Sequence, residues 1–181
     1  VKLRDKNLGF EIENDEKMPS VLWGDEVRIR QICINLLNNA VKYTDSGSVL
    51  FKVGYEPCSD SRISLCISVT DTGQGISEEN QKHLFENFTR IEEKKNKNNE
   101  GTGLGLALVK TLTDLMGGDV SVTSTVGQGS TFSVVIPQEV VDKTPAGKFV
   151  REVKGKDSAQ KMDELSDVEG TILVVDDNQL K

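Results

Sequence analysis

The sequence predicts a domain of the α+β class, in which strands and two amphipathic helices follow one another along the chain. Apolar residues recur at helical spacing over about residues 25–43 and again over about 103–116. Elsewhere they alternate at period two, as expected of strands that are buried on one face. The strands are predicted at residues 9–13, 21–23, 48–55, 62–70, 119–125 and 130–136.

Length and charge narrow the classes of function. The 181 residues suit one domain with room for a tail, and 36% hydrophobic residues indicate one core plus a solvated stretch. A net charge of −7 argues against non-specific binding to nucleic acid or to anionic membranes. Neither a run of roughly 20 apolar residues nor a signal peptide is recognisable, so we expect a cytoplasmic domain without direct membrane contact.

The cysteines and the histidine do not indicate a metal centre. Cys33, Cys58 and Cys66 are odd in number and lack metal-ligand spacing, and two of them lie within apolar patterns. We therefore expect buried free thiols, as in a reducing cytoplasm. His83 is the only histidine, which excludes a site built from several histidines.

The first helix has recognisable ends. Asp25 is placed to cap its N-terminus, and a turn at residues 45–47 follows its last residues. The apolar stripe that we expect to face the core consists of Ile29, Cys33, Leu36, Leu37, Ala40 and Val41.

The middle of the chain holds two loops and a short helical segment. Residues 56–61 connect the two central strands, and residues 77–85 open with a serine suited to cap a helix. Residues 92–100 contain no apolar residue and many Lys and Asn residues, so we expect a mobile surface loop there. Two glycines, Gly117 and Gly118, end the second helix.

The C-terminal part differs in composition. Pro137 ends a domain predicted at residues 1–137, and the charged residues 138–169 are interpreted as a linker. Residues 170–181 contain a continuous apolar run that is typical of a strand buried on both faces of a parallel sheet. We interpret them as the truncated first strand of a further domain.

Polar residues of the first helix share one face. Asn35, Asn39 and Lys42 or Tyr43 recur at helical spacing and therefore project together. A solvated surface explains them, although asparagine is a middling helix former and three of them lie within five residues. Alternatively, an amide oxygen is a suitable ligand for Mg²⁺, and Lys42 would face phosphate.

A first glycine-rich segment, DTGQGI at residues 71–76, directly follows a predicted strand. Its glycines allow the backbone to turn sharply and to approach a flat ligand closely. Asp71 at the strand end would accept a hydrogen bond from the amino group of adenine. The alternative is a plain glycine turn capped by an aspartate.

A second glycine-rich segment, GTGLGL at residues 101–106, opens a helix. The unpaired N–H groups and the dipole of a helix start form an anion site. The spacing differs from a dinucleotide fingerprint, and the Gly-Lys-Ser/Thr ending of a Walker loop is missing. Because the segment follows the Lys/Asn loop, we interpret it as a phosphate lid.

Together these segments resemble the sequence boxes of histidine kinases. Five boxes stand in the family order, and the resemblance covers about residues 1–137. It implies the Bergerat ATP-binding fold, a two-layer α/β sandwich in which helices pack on one face of a mixed sheet. The boxes are NLLNNAVKYT (35–44), DTGQGI (71–76), LFENF (84–88), GTGLGL (101–106) and GQGSTF (127–132).

The resemblance implies a role for each matching residue in binding ATP and Mg²⁺. Asn39 would coordinate Mg²⁺, and Asn35 and Lys42 would complete the catalytic group on the phosphate side. Asp71 would recognise adenine, and Thr131 would support it through water. The other ATP-binding residues implied are Tyr43, Gly73, Gly75, Ile76, Phe88, Gly101, Thr102, Gly103, Leu104, Gly105 and Leu106.

The implied reaction moves the γ-phosphoryl group of ATP to a histidine. His83 lacks the surroundings of a phosphoacceptor, so we interpret it as an ordinary helix histidine and expect the acceptor on an upstream dimerisation hairpin. Asp176 and Asp177 follow the apolar run as in the first strand of a receiver domain, which implies a hybrid kinase. The implied partners are this hairpin and a receiver domain or response regulator.

Other functions are compatible with the same boxes. ATPases of the same superfamily, related to gyrase, mismatch-repair and Hsp90-type proteins, place a glutamate base where Asn35 stands, and an amide cannot take a proton from water. An anti-sigma-factor serine kinase and a non-catalytic nucleotide-binding pseudokinase are further alternatives. Phosphotransfer agrees best with Asn35 and with the resemblance of the tail to a receiver domain.

Overall fold

The computed structural model describes residue 6, residues 8–85 and residues 104–149. Helices and strands follow one another there largely in the predicted order. The elements are β1 (Gly9–Asn14), β2 (Pro19–Trp23), α1 (Glu26–Tyr43), β3 (Ser48–Ser59), β4 (Arg62–Asp71), α2 (Glu78–Gln81), α3 (Gly105–Leu115), β5 (Asp119–Thr125) and β6 (Gly129–Pro145).

The six strands form one mixed sheet. Strand β1 pairs in parallel with β3, whereas the other pairings among the described strands are antiparallel. The order is β1-β3-β4-β6-β2, and β5 also pairs with β6. Every second residue of β4 is buried, so only one face of the sheet carries the core. Core residues of α1 and α3 pack on that face, which confirms the predicted α+β sandwich with helices on one side.

Helix α1 begins as its sequence predicts. The Asp25 carboxylate accepts a hydrogen bond from the Arg28 N–H at 2.9 Å, which satisfies one of the free donors of the first turn. The buried face of α1 is rotated slightly about the helix axis relative to the predicted apolar stripe. Ile32, which was not predicted, is completely buried, whereas Cys33 is only half-buried. The buried residues of α1 are Ile32, Leu36, Ala40 and Val41.

Two strands are longer than predicted. Strands β3 and β4 run through most of the predicted loop at residues 56–61, because their cross-strand pairs continue to Ser59. Strand β6 does not end before Pro137 but continues to Pro145, so residues 138–145 are strand residues and not linker. Residues 139–145 pair with β2. Gln138 is buried and Val140 is partly buried, so the alternation of buried and exposed residues continues past Pro137.

The shorter helices differ in their bounds. Helix α2 ends at Gln81, not near residue 85, and His83 lies exposed in the turn that follows. Helix α3 ends before Gly117, whose positive φ of 68° stops it as expected. The Lys/Asn loop and residues 150–181, with the predicted receiver strand, lie outside the described residues.

The three cysteines are free, as expected, but they are not all buried. Cys58 is exposed, and Cys33 and Cys66 are partly buried. Burial raises the pKa of the Cys33 thiol to about 11, so this side chain stays protonated at neutral pH. Within the described ranges, no helix has the length and apolar character required to cross a membrane.

A buried hydroxyl in α3 gives a stability prediction. Thr113 is completely buried, and its hydroxyl has no hydrogen-bond partner among the described residues. We expect Thr113→Val to raise the free energy of unfolding by about 1 kcal/mol, because valine keeps the branched shape and removes the unpaired polar group.

Chemical unfolding, followed by the fluorescence of Trp23, measures this change. Thr111→Val is the matched control, because the Thr111 hydroxyl donates to the Ala107 carbonyl at 2.9 Å on the exposed side of the same helix. The control should gain no stability. An unchanged or lower free energy of unfolding for Thr113→Val would contradict the prediction.

Candidate functional site

The candidate site lies where the C-terminal half of α1 meets the start of α3. Asn35 and Asn39 are half-buried on α1. A Cβ added to Gly105, the first residue of α3, would lie 3.3 Å from the Asn35 Oδ1 atom and 3.9 Å from the Asn39 Nδ2 atom. The fold therefore brings the asparagine face and the end of the second glycine-rich segment into contact.

The Asn35 amide is held in a defined orientation. Its Nδ2 atom donates to the Gln31 carbonyl at 2.8 Å, one turn earlier in α1. Its Oδ1 atom is the atom nearest to the added Cβ of Gly105. The Asn35 Nδ2 atom therefore has its hydrogen-bond acceptor within α1, and the Asn35 Oδ1 atom faces the start of α3 as a possible acceptor.

The start of α3 is suited to an anion. Its N-cap residue, Leu104, has an apolar side chain that cannot cap the first N–H groups. The Leu104 side chain is exposed, whereas Leu106 packs against the core. The N–H groups at the start of a helix, here beside two half-buried amides, are suited to bind phosphate oxygens.

Lys42 and Tyr43 lie together at the other end of the asparagine face. The Lys42 Nζ atom is 4.9 Å from the centre of the Tyr43 ring, within the range of a cation–π contact. The Tyr43 carbonyl accepts a hydrogen bond from the Gln74 N–H at 3.4 Å. A Cβ on Gly73 would overlap that carbonyl, so glycine is required for this close approach.

Asp71 ends β4 in a buried position. Its Oδ1 atom accepts a hydrogen bond from the Gly73 N–H at 2.8 Å, and the Ser130 backbone N–H also bonds to the carboxylate. Burial raises the pKa of this carboxyl group, although both backbone hydrogen bonds oppose the shift. A buried carboxylate with spare lone pairs is suited to recognise a donor such as an amino group.

The rest of the first glycine-rich segment is held against the β5–β6 turn. The Gln74 carbonyl accepts from the Gly127 N–H at 2.7 Å, and the Ile76 N–H donates to the Ser124 hydroxyl at 2.8 Å. Gly75 has a φ of 71° beside the Thr125 carbonyl, where a side chain would clash. These contacts fix the backbone on one side of Asp71.

Thr131 lies on the opposite face of the sheet from Asp71. Its hydroxyl is 3.0 Å from that of Thr70, and the two residues are cross-strand neighbours. Asp71 pairs instead with Ser130, which is buried and therefore shares its face. The structure does not bring Thr131 to Asp71, because neighbouring strand residues alternate between faces.

Three polar residues near the site were not found from the sequence. The hydroxyls of Ser124 and Ser130 are 2.9 Å apart, and Gln81 Nε2 donates to the carbonyls of Ile76 and Ser124. The inward-facing positions of β5 and β6 are otherwise mostly apolar, and Ser124 and Ser130 interrupt this pattern. The interruption could have indicated from the sequence that these two serines have a polar role. Phe88, Gly101, Thr102 and Gly103 lie outside the described residues.

Gly129 provides a test of the backbone around Asp71. Its φ is 111°, and a Cβ there would overlap the Asp71 carbonyl oxygen. We expect Gly129→Ala to lower the free energy of unfolding by about 3 kcal/mol or more, because the backbone strain adds to the clash.

Gly127→Ala is the control, because Gly127 also has a positive φ but an added Cβ would meet open space. It should cost only about 1 kcal/mol. Thermal and denaturant unfolding of both variants gives the comparison. Equal losses for the two variants would mean that the close approach of Gly129 to Asp71 is unimportant.

Comparison with protein families agrees with this geometry. Residues 24–140 match the family described as "Histidine kinase-, DNA gyrase B-, and HSP90-like ATPase". The matched region contains α1, the segment after β4, α3 and most of β6, and therefore every described part of the candidate site.

Among curated proteins, the chain is similar to hybrid and sensory histidine kinases. It is 38% identical over 140 residues to hybrid signal transduction histidine kinase B of Dictyostelium discoideum, covering 77% of this chain and 7% of that protein. It is 43% identical over 141 residues to the circadian input-output histidine kinase CikA of Synechococcus elongatus, covering 72% and 18%. The chain thus spans less than a fifth of these relatives.

Solved structures of histidine kinases share the fold. Full-length ShkA in complex with AMPPNP matches with a TM-score of 0.63 at 33% identity, covering 76% of this chain and 27% of that one. The catalytic domain of the histidine kinase ThkA matches with a TM-score of 0.54 at 28% identity, covering 75% and 84%. The chain therefore belongs to the histidine kinase-, DNA gyrase B- and HSP90-like ATPases, and within them to the ATP-binding domains of two-component histidine kinases.

Proposed function

We propose that this domain binds ATP with Mg²⁺ and transfers the γ-phosphoryl group to a histidine on a separate dimerisation hairpin. The contact of Asn35 and Asn39 with Gly105 carries the proposal. One end of the site then has amide oxygens and the N–H groups at the start of α3, while Asp71 lies at the other end. The C-terminal end of α1 connects the two, because Tyr43 contacts the segment that begins at Asp71.

The residues at the phosphate end suit Mg²⁺ bound to a triphosphate. Amide oxygens are hard ligands, and Mg²⁺ is usually held by one or two protein oxygens together with substrate phosphates. Asn39 would supply such an oxygen, with Asn35 beside it. Bound there, Mg²⁺ would neutralise phosphate charge.

The adenine end depends on Asp71. Its carboxylate would accept a hydrogen bond from the adenine amino group, while the Gly73 and Ser130 N–H groups hold it in place. Ser130, and not Thr131, shares its face of the sheet and would support this contact. Gly73, Gly75 and Ile76 would shape the pocket for the base.

The transfer needs positioning more than acid–base chemistry. The bond between the γ-phosphorus and the oxygen that bridges to the β-phosphate breaks, a bond from that phosphorus to a histidine nitrogen forms, and ADP leaves. Lys42 and the N–H groups at the start of α3 would hold the phosphates in line with the nitrogen. Lys42 would also oppose the negative charge that collects on ADP.

The relatives and the tail of the chain support the proposed partners. Several of the similar proteins are hybrid histidine kinases. We interpret residues 170–181, with Asp176 and Asp177, as the start of a receiver domain. The proposed route of the phosphoryl group is therefore from ATP to the hairpin histidine and then to a receiver aspartate.

An incubation with γ-³²P-ATP tests the proposal. The chain is mixed with the proposed dimerisation hairpin, produced as a separate protein, with and without Mg²⁺. We expect Mg²⁺-dependent label on the hairpin that is stable in alkali and lost in acid, as for a phosphorylated histidine. A hairpin with its histidine replaced by glutamine is the control and should stay unlabelled.

Hydrolysis is the second candidate, because the family includes ATPases. Asn35 argues against hydrolysis, because its side-chain amide is not basic enough to accept a proton from water. The Asn35 Nδ2 atom donates to the Gln31 carbonyl instead. Rapid phosphate release without the hairpin would favour an ATPase. Binding of Mg²⁺-ATP without either reaction would favour a nucleotide-binding pseudokinase.

A further inference from the structure

Lys6 reaches from the segment before β1 to the C-terminal end of α1. Its Nζ atom donates to the Lys42 carbonyl at 2.9 Å and to the carbonyls of Val41 and Thr44 at 3.1 Å each. It also lies 3.1 Å from the Asp45 Oδ1 atom. One ammonium group thus contacts three backbone carbonyls and a carboxylate, all from residues 35 to 39 positions later in the chain.

These carbonyls lack partners within the helix. The last four carbonyls of an α-helix have no intrahelical donor and carry the negative end of the helix dipole. The backbone is extended at Thr44, so the helix does not continue and no further helical N–H groups are available to these carbonyls. Lys6 supplies them from a distant part of the sequence, which fixes where α1 ends.

The end of α1 is also part of the candidate site. Lys42, whose carbonyl Lys6 contacts, is the proposed phosphate-side lysine. Tyr43 follows it, and its carbonyl packs against Gly73 and accepts from Gln74. A displacement of the α1 end would therefore move both the lysine and the segment that carries the adenine contact.

The start of β1, three residues after Lys6, is held against the turn after α1. The Gly9 N–H donates to the Gly47 carbonyl at 2.9 Å, and Gly9 is paired with Ser48 at the start of the parallel β1–β3 pairing. Lys6 therefore lies three residues before a strand end that is hydrogen-bonded close to its target.

We infer that Lys6 is a positioning residue for nucleotide binding, because it holds the α1 end that presents Lys42 and Tyr43. This inference rests on the proposed function but assigns Lys6 a role that the sequence boxes do not contain. The proposed role of Lys6 involves no contact with the nucleotide. It acts through the backbone of α1.

Titration with ADP and Mg²⁺ by calorimetry tests this role. Lys6→Met removes the charge and keeps the length of the side chain, and Lys6→Arg keeps the charge. We expect Lys6→Met to weaken ADP binding about tenfold, as for loss of charged hydrogen bonds, and Lys6→Arg to retain most of the affinity. Lys52→Met is the control, because Lys52 pairs with Glu13 at the solvent surface, and it should bind as the unchanged protein does.

The free energy of unfolding is measured together with the ADP affinity. If Lys6 only caps the helix, its substitution should lower the free energy of unfolding and leave the ADP affinity unchanged. All titrations are made at a temperature at which circular dichroism shows each variant to be folded, and Lys6→Gln replaces Lys6→Met if the latter does not fold. Unchanged ADP affinity in a folded, destabilised Lys6 variant would overturn the positioning role. Absence of binding by the unchanged protein would instead contradict the proposed function itself.

Discussion

Asn39→Ala is expected to abolish the Mg²⁺-dependent part of ATP binding. Asn39 is half-buried on α1, and its side-chain amide is directed toward Gly105 at the start of α3. Alanine removes the amide oxygen that we propose as the metal ligand, and it does not weaken α1 because alanine is the stronger helix former. Affinity for a non-hydrolysable ATP analogue with Mg²⁺ should fall by about 100-fold, the upper end of the loss seen when a residue that only supports a metal ligand is removed.

Asn38→Ala is the matched control for this experiment. Asn38 is the neighbouring asparagine on α1, but it is exposed and outside the proposed site. Calorimetric titrations with and without Mg²⁺ compare both variants with the unchanged protein. If Asn39→Ala keeps metal-dependent binding, Asn39 is not the Mg²⁺ ligand; if Asn38→Ala loses it, the effect is not specific to the proposed face.

Asp71→Asn should lower ATP affinity by at least about 30-fold, the effect of leaving a buried polar group unpaired. The Gly73 and Ser130 N–H groups both donate to this side chain. Asparagine has only one acceptor oxygen, so its amino group would be left to face the amino group of adenine. Discrimination of ATP against GTP should fall with it, because the adenine amino group is what the carboxylate recognises.

Asp114→Asn controls for the change of charge. Asp114 pairs with Lys110 on the exposed side of α3, and this variant should bind ATP normally. Competition titrations with ATP and GTP give both affinities. Equal discrimination in the unchanged protein and in Asp71→Asn would remove Asp71 from the adenine end of the site.

The raised pKa of the Asp71 carboxyl group predicts that ATP binding depends on pH. Burial raises its pKa, so in the free protein Asp71 takes up a proton at a higher pH than an ordinary aspartate. Binding that requires the carboxylate should weaken as the pH falls through this raised pKa. Asp71→Asn has no such titration, so the difference between the two pH profiles isolates Asp71 from the titration of ATP itself.

Local features were predictable where a few neighbouring residues decide them. Asp25 caps α1 because its carboxylate reaches the Arg28 N–H within one turn, and the residue type and position were enough to predict it. The period-two pattern likewise predicted the strands β4 and β5. The extension of β6 to Pro145 was missed, because it depends on pairing with β2, which lies more than 100 residues earlier.

By itself, the sequence determined the α+β class, the family and most of the polar residues gathered at the site. These follow from periodicity and from short motifs, which depend on near neighbours in the chain. Only the tertiary structure decided that Ser130 shares the face of Asp71, that Asn35 meets Gly105 and that Lys6 caps α1. Such contacts depend on strand register and on packing between distant segments, because a shift of one residue in a strand reverses the face of every side chain.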